Sequence, residues 1–139
     1  MSSIVQTQTT SFKKELYQAV HNLSTDTLKV ALYTASADLN QATTVYSSAN
    51  EVVASGYTAG GQVMTGVTIQ SDGYTAYVNW ANVSWTTAVT ARCALIYNVT
   101  QGNKSVAVLD FGSDKTSTTT FLITMPANTS TAALIRSSN

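Results

Sequence analysis

"TARCALIYNVTQGNKSVAVLDFG", residues 90–112, decides the fold. Two apolar runs flank the polar turn "TQGNK", residues 100–104, which carries Gly102. Each run is too short for a core helix and is rich in β-branched, aliphatic and aromatic side chains. The arrangement predicts an antiparallel hairpin. Just upstream the pattern repeats. "QVMTGVTIQ" (62–70), the turn "SDG" (71–73) and "YTAYVNW" (74–80) form a second hairpin signature, with Asp72-Gly73 suited to positive φ. There Tyr74, Ala76, Val78 and Trp80 share one face, and Thr75, Tyr77 and Asn79 the other.

Further out, "TLKVALYTA" (27–35) alternates Leu28, Val30 and Leu32 against Lys29, Ala31 and Tyr33, which predicts a half-buried strand. Downstream, "SDKTST" (113–118) reads as a polar turn and "TTFLITMP" (119–126) as a strand closed by Pro126. "TAALIRS" (131–137) is a last short strand. Before the strands, Phe12, Leu16, Ala19, Val20 and Leu23 recur at helical spacing, predicting an amphipathic helix over about residues 11–23, capped by Ser11 or Thr10. Residues 1–10 are polar and aperiodic, and read as an arm that is mobile or ordered by a partner. Residues 36–62 are a long irregular stretch, with a short strand or helical turn near Glu51–Ala54; loops of that length usually carry a task, often binding.

The expected fold is therefore mainly β: an antiparallel β-sandwich, jelly-roll-like, with one N-terminal amphipathic α-helix. One domain spans residues 11–139 behind the arm. A chain of 139 residues buries enough surface to need neither metal nor disulfide.

Composition narrows the function. Charged residues make up 10 % of the chain and the formal net charge is zero, against roughly 25 % charged in ordinary soluble domains. Ser and Thr fill roughly a quarter of the positions. Such a surface exerts no long-range pull on nucleic acid or an acidic membrane, so neither is expected as a partner. The N-terminal sequence lacks the basic-then-apolar pattern of a secretory signal, and no apolar run is long enough to span a bilayer.

Catalytic signatures are missing. "GYTAGGQVMTG" (56–66) holds four glycines but has neither G-x-G-x-x-G nor G-K-[ST], and it opens a strand rather than a helix. Gly56, Gly60 and Gly61 are expected to turn a surface loop back into the sheet, not to cradle phosphate. The single cysteine, Cys93, lies in an apolar run and reads as a small buried hydrophobe. With one histidine, His21, expected at an exposed or edge position on the helix, no zinc site and no Ser-His-Asp arrangement is foreseen. Asp110 reads as a strand-end aspartate bonded to a turn. No catalytic residue, cofactor or metal is expected. Trp80 and Trp85 are expected in the core. Phe12 on the helix, Tyr57 in the glycine-rich loop and Tyr77 on the face opposite Trp80 are the candidate contact surface.

The segments "SFKKELYQAVHNLSTDTLKVALYTASA", "SGYTAGGQVMTG", "ARCALIYN", "KSVAVLDFGSDKTST" and "FLITMP", in that order from residue 11 almost to the end, resemble a family of small virion structural proteins of tailed bacteriophages. The likeness is to capsid cement, or decoration, proteins. It implies a non-enzymatic protein made in the bacterial host cytoplasm and placed on the outer capsid surface. Its partners would be the major capsid protein and itself, as a homodimer or, failing that, a trimer. The alternatives are a tail, head–tail or fibre-associated virion protein, or a carbohydrate-binding module for host attachment. The resemblance assigns no contact residue.

Overall fold

The computed structural model of the chain describes residues 3–138. Among them the chain is mainly β, with a single helix and antiparallel sheets. In order come β1 (Thr7–Gln8), α1 (Thr10–Tyr17), β2 (Leu28–Tyr33), β3 (Gln62–Val63), β4 (Thr68–Asp72), β5 (Thr75–Asn79), β6 (Val83–Trp85), β7 (Val89–Asn98), β8 (Lys104–Ser117), β9 (Phe121–Ile123) and β10 (Ile135–Ser137). The largest sheet runs β1-β8-β7-β2-β3; a second runs β10-β5-β4; β6 pairs with β9.

The β7–β8 hairpin is the spine, as the opening stretch predicts. Leu95 faces Val108 and Ala94 faces Leu109. Its neighbour β2 is covered more fully than alternation suggested. Leu28, Val30 and Leu32 join Ala94, Ile96, Trp80, Trp85, Phe121 and Ile135 in one apolar cluster. On the opposite face, Ala31, Tyr33, Cys93, Leu95, Tyr97 and Val108 form a second cluster with Ala37 and Leu39. Residues of the 34–61 loop thus cover the second face. A strand buried on both faces reads as a continuous apolar run, which is why "CALIY" shows no polar alternation.

The N-terminal arm is built in. Among its described residues, Ile4 bridges Leu39, Thr7 and Gln8 pair with Val108 and Ala107, and Thr9 is fully buried. The first two residues lie outside the described residues. Thr9, one position before the expected caps, closes the helix start: its backbone is extended (φ −71, ψ 151) and its Oγ1 accepts from the Phe12 N–H at 3.3 Å.

The helix is shorter than its periodicity predicts and stops at Tyr17. The Val20 N–H donates to the Glu15 carbonyl (3.0 Å) and the Ala19 N–H to the Leu16 carbonyl (3.2 Å). This is the Schellman arrangement, and Ala19 takes the left-handed position at φ 58. Leu23 is buried, but from the connection that follows the helix. Two other boundaries differ. "SDKTS" is not a turn: β8 continues through it, pairing Ala91 with Lys115 and Val89 with Ser117. "QV" at 62–63 pairs with β2 rather than with the β4–β5 hairpin, whose two-residue loop has Gly73 at φ 60.

Candidate functional site

The long 34–61 loop is fastened from within by one carboxylate. Glu51 is 8 % exposed. Its Oε1 accepts from the Tyr46 hydroxyl at 2.5 Å, and its Oε2 accepts from the Tyr57 hydroxyl and, at 2.8 Å, from the Gly60 N–H. The Tyr57 oxygen in turn accepts from the Leu32 N–H at 3.0 Å, tying the loop to β2. Tyr97 donates to the Gly60 carbonyl at 2.6 Å and stacks on Tyr46, with ring centroids 4.6 Å apart. Tyr33 is bridged to Glu51 through the backbone and donates its hydroxyl to Ser47 O at 2.6 Å.

The glycine-rich stretch does face an anion, and the anion belongs to the chain. Gly60 and Gly61 have φ 98 and 85, a region closed to most side chains. That geometry turns the Gly60 N–H onto Glu51. A Cβ on Gly61 would lie 1.8 Å from the Val30 carbonyl oxygen, so the loop also needs glycine to approach β2.

Chemically this is an anchor. Burial, followed by the adjacent Glu51, pushes the Tyr46 and Tyr57 hydroxyls upward. Burial and the Glu51 charge also raise Tyr33, and bring Tyr97 up to about 12. The four phenols stay protonated and serve as donors. With three donors on its oxygens, Glu51 is a satisfied buried acceptor.

His21 is buried, against the expected exposed position: its side chain is 0 % exposed and its ring lies 4.9 Å from that of Phe12. The early end of the helix turns it inward. Its Nε2 is 2.8 Å from Glu15 Oε1, and its Nδ1 is 2.9 Å from the Asn98 amide nitrogen. The Asn98 amide also donates to Asp26 Oδ2 at 2.9 Å. An amide nitrogen only donates, so Nδ1 is the acceptor and the ring proton sits on Nε2, toward Glu15. Burial acts to raise Asp26, but hydrogen bonds from the Asn22 N–H, Asn98 and Gln101 outweigh it and hold the carboxyl below its ordinary value. The chain Glu15–His21–Asn98–Asp26 contains no nucleophile; it fastens the helix end to the β7–β8 turn.

The remaining candidates are structural. Cys93 is fully buried, and burial pushes its thiol up to about 12. Asp110 accepts from the Gly112 N–H at 2.8 Å and from Arg92 across the hairpin, which together hold it below its ordinary value despite partial burial. Among the described residues, no group of three or more His, Cys, Asp or Glu could hold a metal ion. Nor is any helix long and apolar enough to cross a membrane.

The proposed contact surface of Phe12, Tyr57 and Tyr77 needs correction. These side chains are 0 %, 7 % and 9 % exposed. Phe12 is the core anchor of the helix, Tyr57 holds Glu51, and Tyr77 donates to Gln70 at 3.1 Å. The exposed large apolar side chains are others, led by Val53 (98 %), Tyr17 (94 %) and Tyr74 (93 %). Trp80 and Trp85 are in the core as expected. No protein-family model, curated protein or solved structure matches this chain.

Proposed function

We propose that the chain is a structural virion protein of a tailed bacteriophage, a cement protein that binds the outside of the major capsid shell and stabilises it. It works by docking, without catalysis and without a cofactor, and it associates with itself as well as with the capsid protein. We read its sheets as a β-sandwich of jelly-roll type, with the small sheets set against the five-stranded one.

One observation carries the proposal. The 34–61 loop is fastened from inside by hydrogen bonds to Glu51, while Val53, two residues away, is 98 % exposed and Val45 is 51 % exposed. Ordering a loop in advance lowers the entropic cost of docking it. Apolar side chains left outside on such a loop favour contact with another surface. The low charge of the chain lets identical copies sit close together. Repetition over a shell makes weak single contacts persistent.

The test compares particles with and without this protein. Particles lacking it should assemble but release DNA at lower temperature, or more readily on chelation. Val53→Asp should lower its copy number per particle while leaving the free protein folded. Equal heat stability of the two kinds of particle would sink the proposal. A copy number matching the neck or tail instead of the shell would move the protein there.

A further inference from the structure

The edges of the sheets are not equally protected. β1 and β3, the edges of the largest sheet, are two residues each, and β10 is three. Short edges are poor templates for pairing. β8 beyond Val108 also pairs on one side only, with β7, but that stretch carries Lys115 and two aspartates. β4 is open without such a guard. It has five residues, all exposed, and pairs on one side only, with β5. Its sequence, Thr-Ile-Gln-Ser-Asp, carries none of the lysines or prolines that usually block an edge.

Its exposed backbone groups follow from the hairpin. Asp72 and Thr75 flank the two-residue loop and form its closing hydrogen-bonded pair, so Gln70 and Thr68 also bond inward to β5. The N–H and C=O of Ile69 and Ser71 therefore point to the open side. The side chains show the same interruption. Ile135, Val78 and Ile69 sit side by side across β10, β5 and β4. Ile135 is 4 % exposed and Val78 packs against the core, whereas Ile69 is 51 % exposed. An apolar row runs out from the core and ends at the edge of the sheet.

We propose that β4 pairs with β4 of a second copy, antiparallel about a two-fold axis at Gln70, to make one continuous six-stranded sheet. This register uses the free groups on both sides: Ile69 bonds Ser71 of the second copy, and Ser71 bonds its Ile69. The two Ile69 side chains fall on one face as diagonal neighbours, extending the Ile135–Val78–Ile69 row. The only charge on the strand, Asp72, lies opposite Thr68 of the second copy, so no like charges meet. An unrelated strand would satisfy the backbone equally, but the self-complementary register and matched apolar row single out a second copy. The contact is small and gives a weak dimer unless other surfaces add to it. It does not depend on the shell-binding role.

Register decides the test. In this dimer the two Gln70 residues form a non-hydrogen-bonded pair, with Cα atoms about 4.5 Å apart, within disulfide range. Gln70→Cys, oxidised with oxidised glutathione, should give a disulfide-linked dimer at least about tenfold faster than Thr68→Cys, whose counterpart is Asp72. Cys93 is fully buried and does not compete. Sedimentation equilibrium should show concentration-dependent dimers of the unmodified protein. Ile69→Lys should raise their dissociation constant at least about tenfold while leaving the circular dichroism spectrum unchanged. A protein that stays monomeric at millimolar concentration, or equal cross-linking at positions 68 and 70, would overturn the proposal.

Discussion

The Gly60 amide nitrogen lies 2.8 Å from Glu51 Oε2, so the glycine-rich loop closes around a carboxylate of its own chain. Removing that carboxylate leaves the Tyr46 and Tyr57 hydroxyls and the Gly60 N–H without an acceptor. Each unsatisfied buried donor costs about 1–3 kcal/mol. Glu51→Ala should therefore lose about 3–5 kcal/mol in urea unfolding. Tyr57→Phe should lose less, about 1–3 kcal/mol, since it orphans the Leu32 N–H and one Glu51 lone pair. A Glu51→Ala protein within 1 kcal/mol of the unmodified chain would show that the cluster contributes little.

What was legible in the sequence follows from locality. The β4–β5 and β7–β8 hairpins declare themselves within a few residues, by turn glycines and apolar runs. Glu51 does not, because its partners Tyr46, Tyr57 and Gly60 become neighbours only when the irregular loop folds back on β2. His21 was misplaced because Val20 and Leu23 keep helical spacing past the point where backbone bonds end the helix. The exposed end of β8 is polar on both faces, so no periodicity separates it from a turn. Tyr57 and Tyr77 looked like surface aromatics because the segments that cover them are remote in the chain or lack regular structure.

Gly61 tests the close approach of the loop to β2. With a Cβ 1.8 Å from Val30 O, Gly61→Ala should displace β3 from β2 and cost about 3 kcal/mol or more. Gly102, at φ 72 with nothing within 4 Å of its added Cβ, is the control. Gly102→Ala should cost only the left-handed penalty of about 1–2 kcal/mol. Equal melting temperatures for the two variants would contradict the steric account.

Ala19 offers the opposite sign. It is exposed and holds φ 58 at the Schellman position, where glycine is preferred. Ala19→Gly relieves the left-handed penalty and loses no packing, while freeing the unfolded chain slightly. The net expectation is a gain of about 0.5–1 kcal/mol in thermal unfolding. A loss of stability would mean that the helix end is held by something other than this cap.

The hydrogen bonds of His21 fix its tautomer. Asn98 donates to Nδ1, so the proton rests on Nε2 and points at Glu15. In a long-range ¹⁵N–¹H correlation spectrum at neutral pH, Nε2 should appear protonated and Nδ1 unprotonated. Asn98→Leu, which removes that donor and orphans Nδ1, should destabilise the fold by about 1–3 kcal/mol, while Glu15 still holds the proton on Nε2. The reverse tautomer in the unmodified protein would show that the Asn98 amide is turned the other way.

Alkaline unfolding should begin where the unfolded chain ionises, not where the folded one does. Burial and Glu51 raise Tyr33, Tyr46, Tyr57 and Tyr97 in the folded state, while an unfolded tyrosine titrates near pH 10. Above that pH the unfolded chain releases protons that the native chain retains, so it gains stability relative to the fold. The contribution of the four phenols is therefore complete below pH 10 and falls as the pH climbs toward 12 and beyond. Chemical denaturation at fixed pH values should show a falling midpoint from about pH 10 upward. The increase in phenolate absorbance from the cluster should coincide with loss of the β signal in circular dichroism. Tyr57→Phe should flatten this slope, because one raised phenol is gone. Phenolate absorbance reaching its full value while the β signal is still intact would show that the cluster tyrosines ionise within the folded chain.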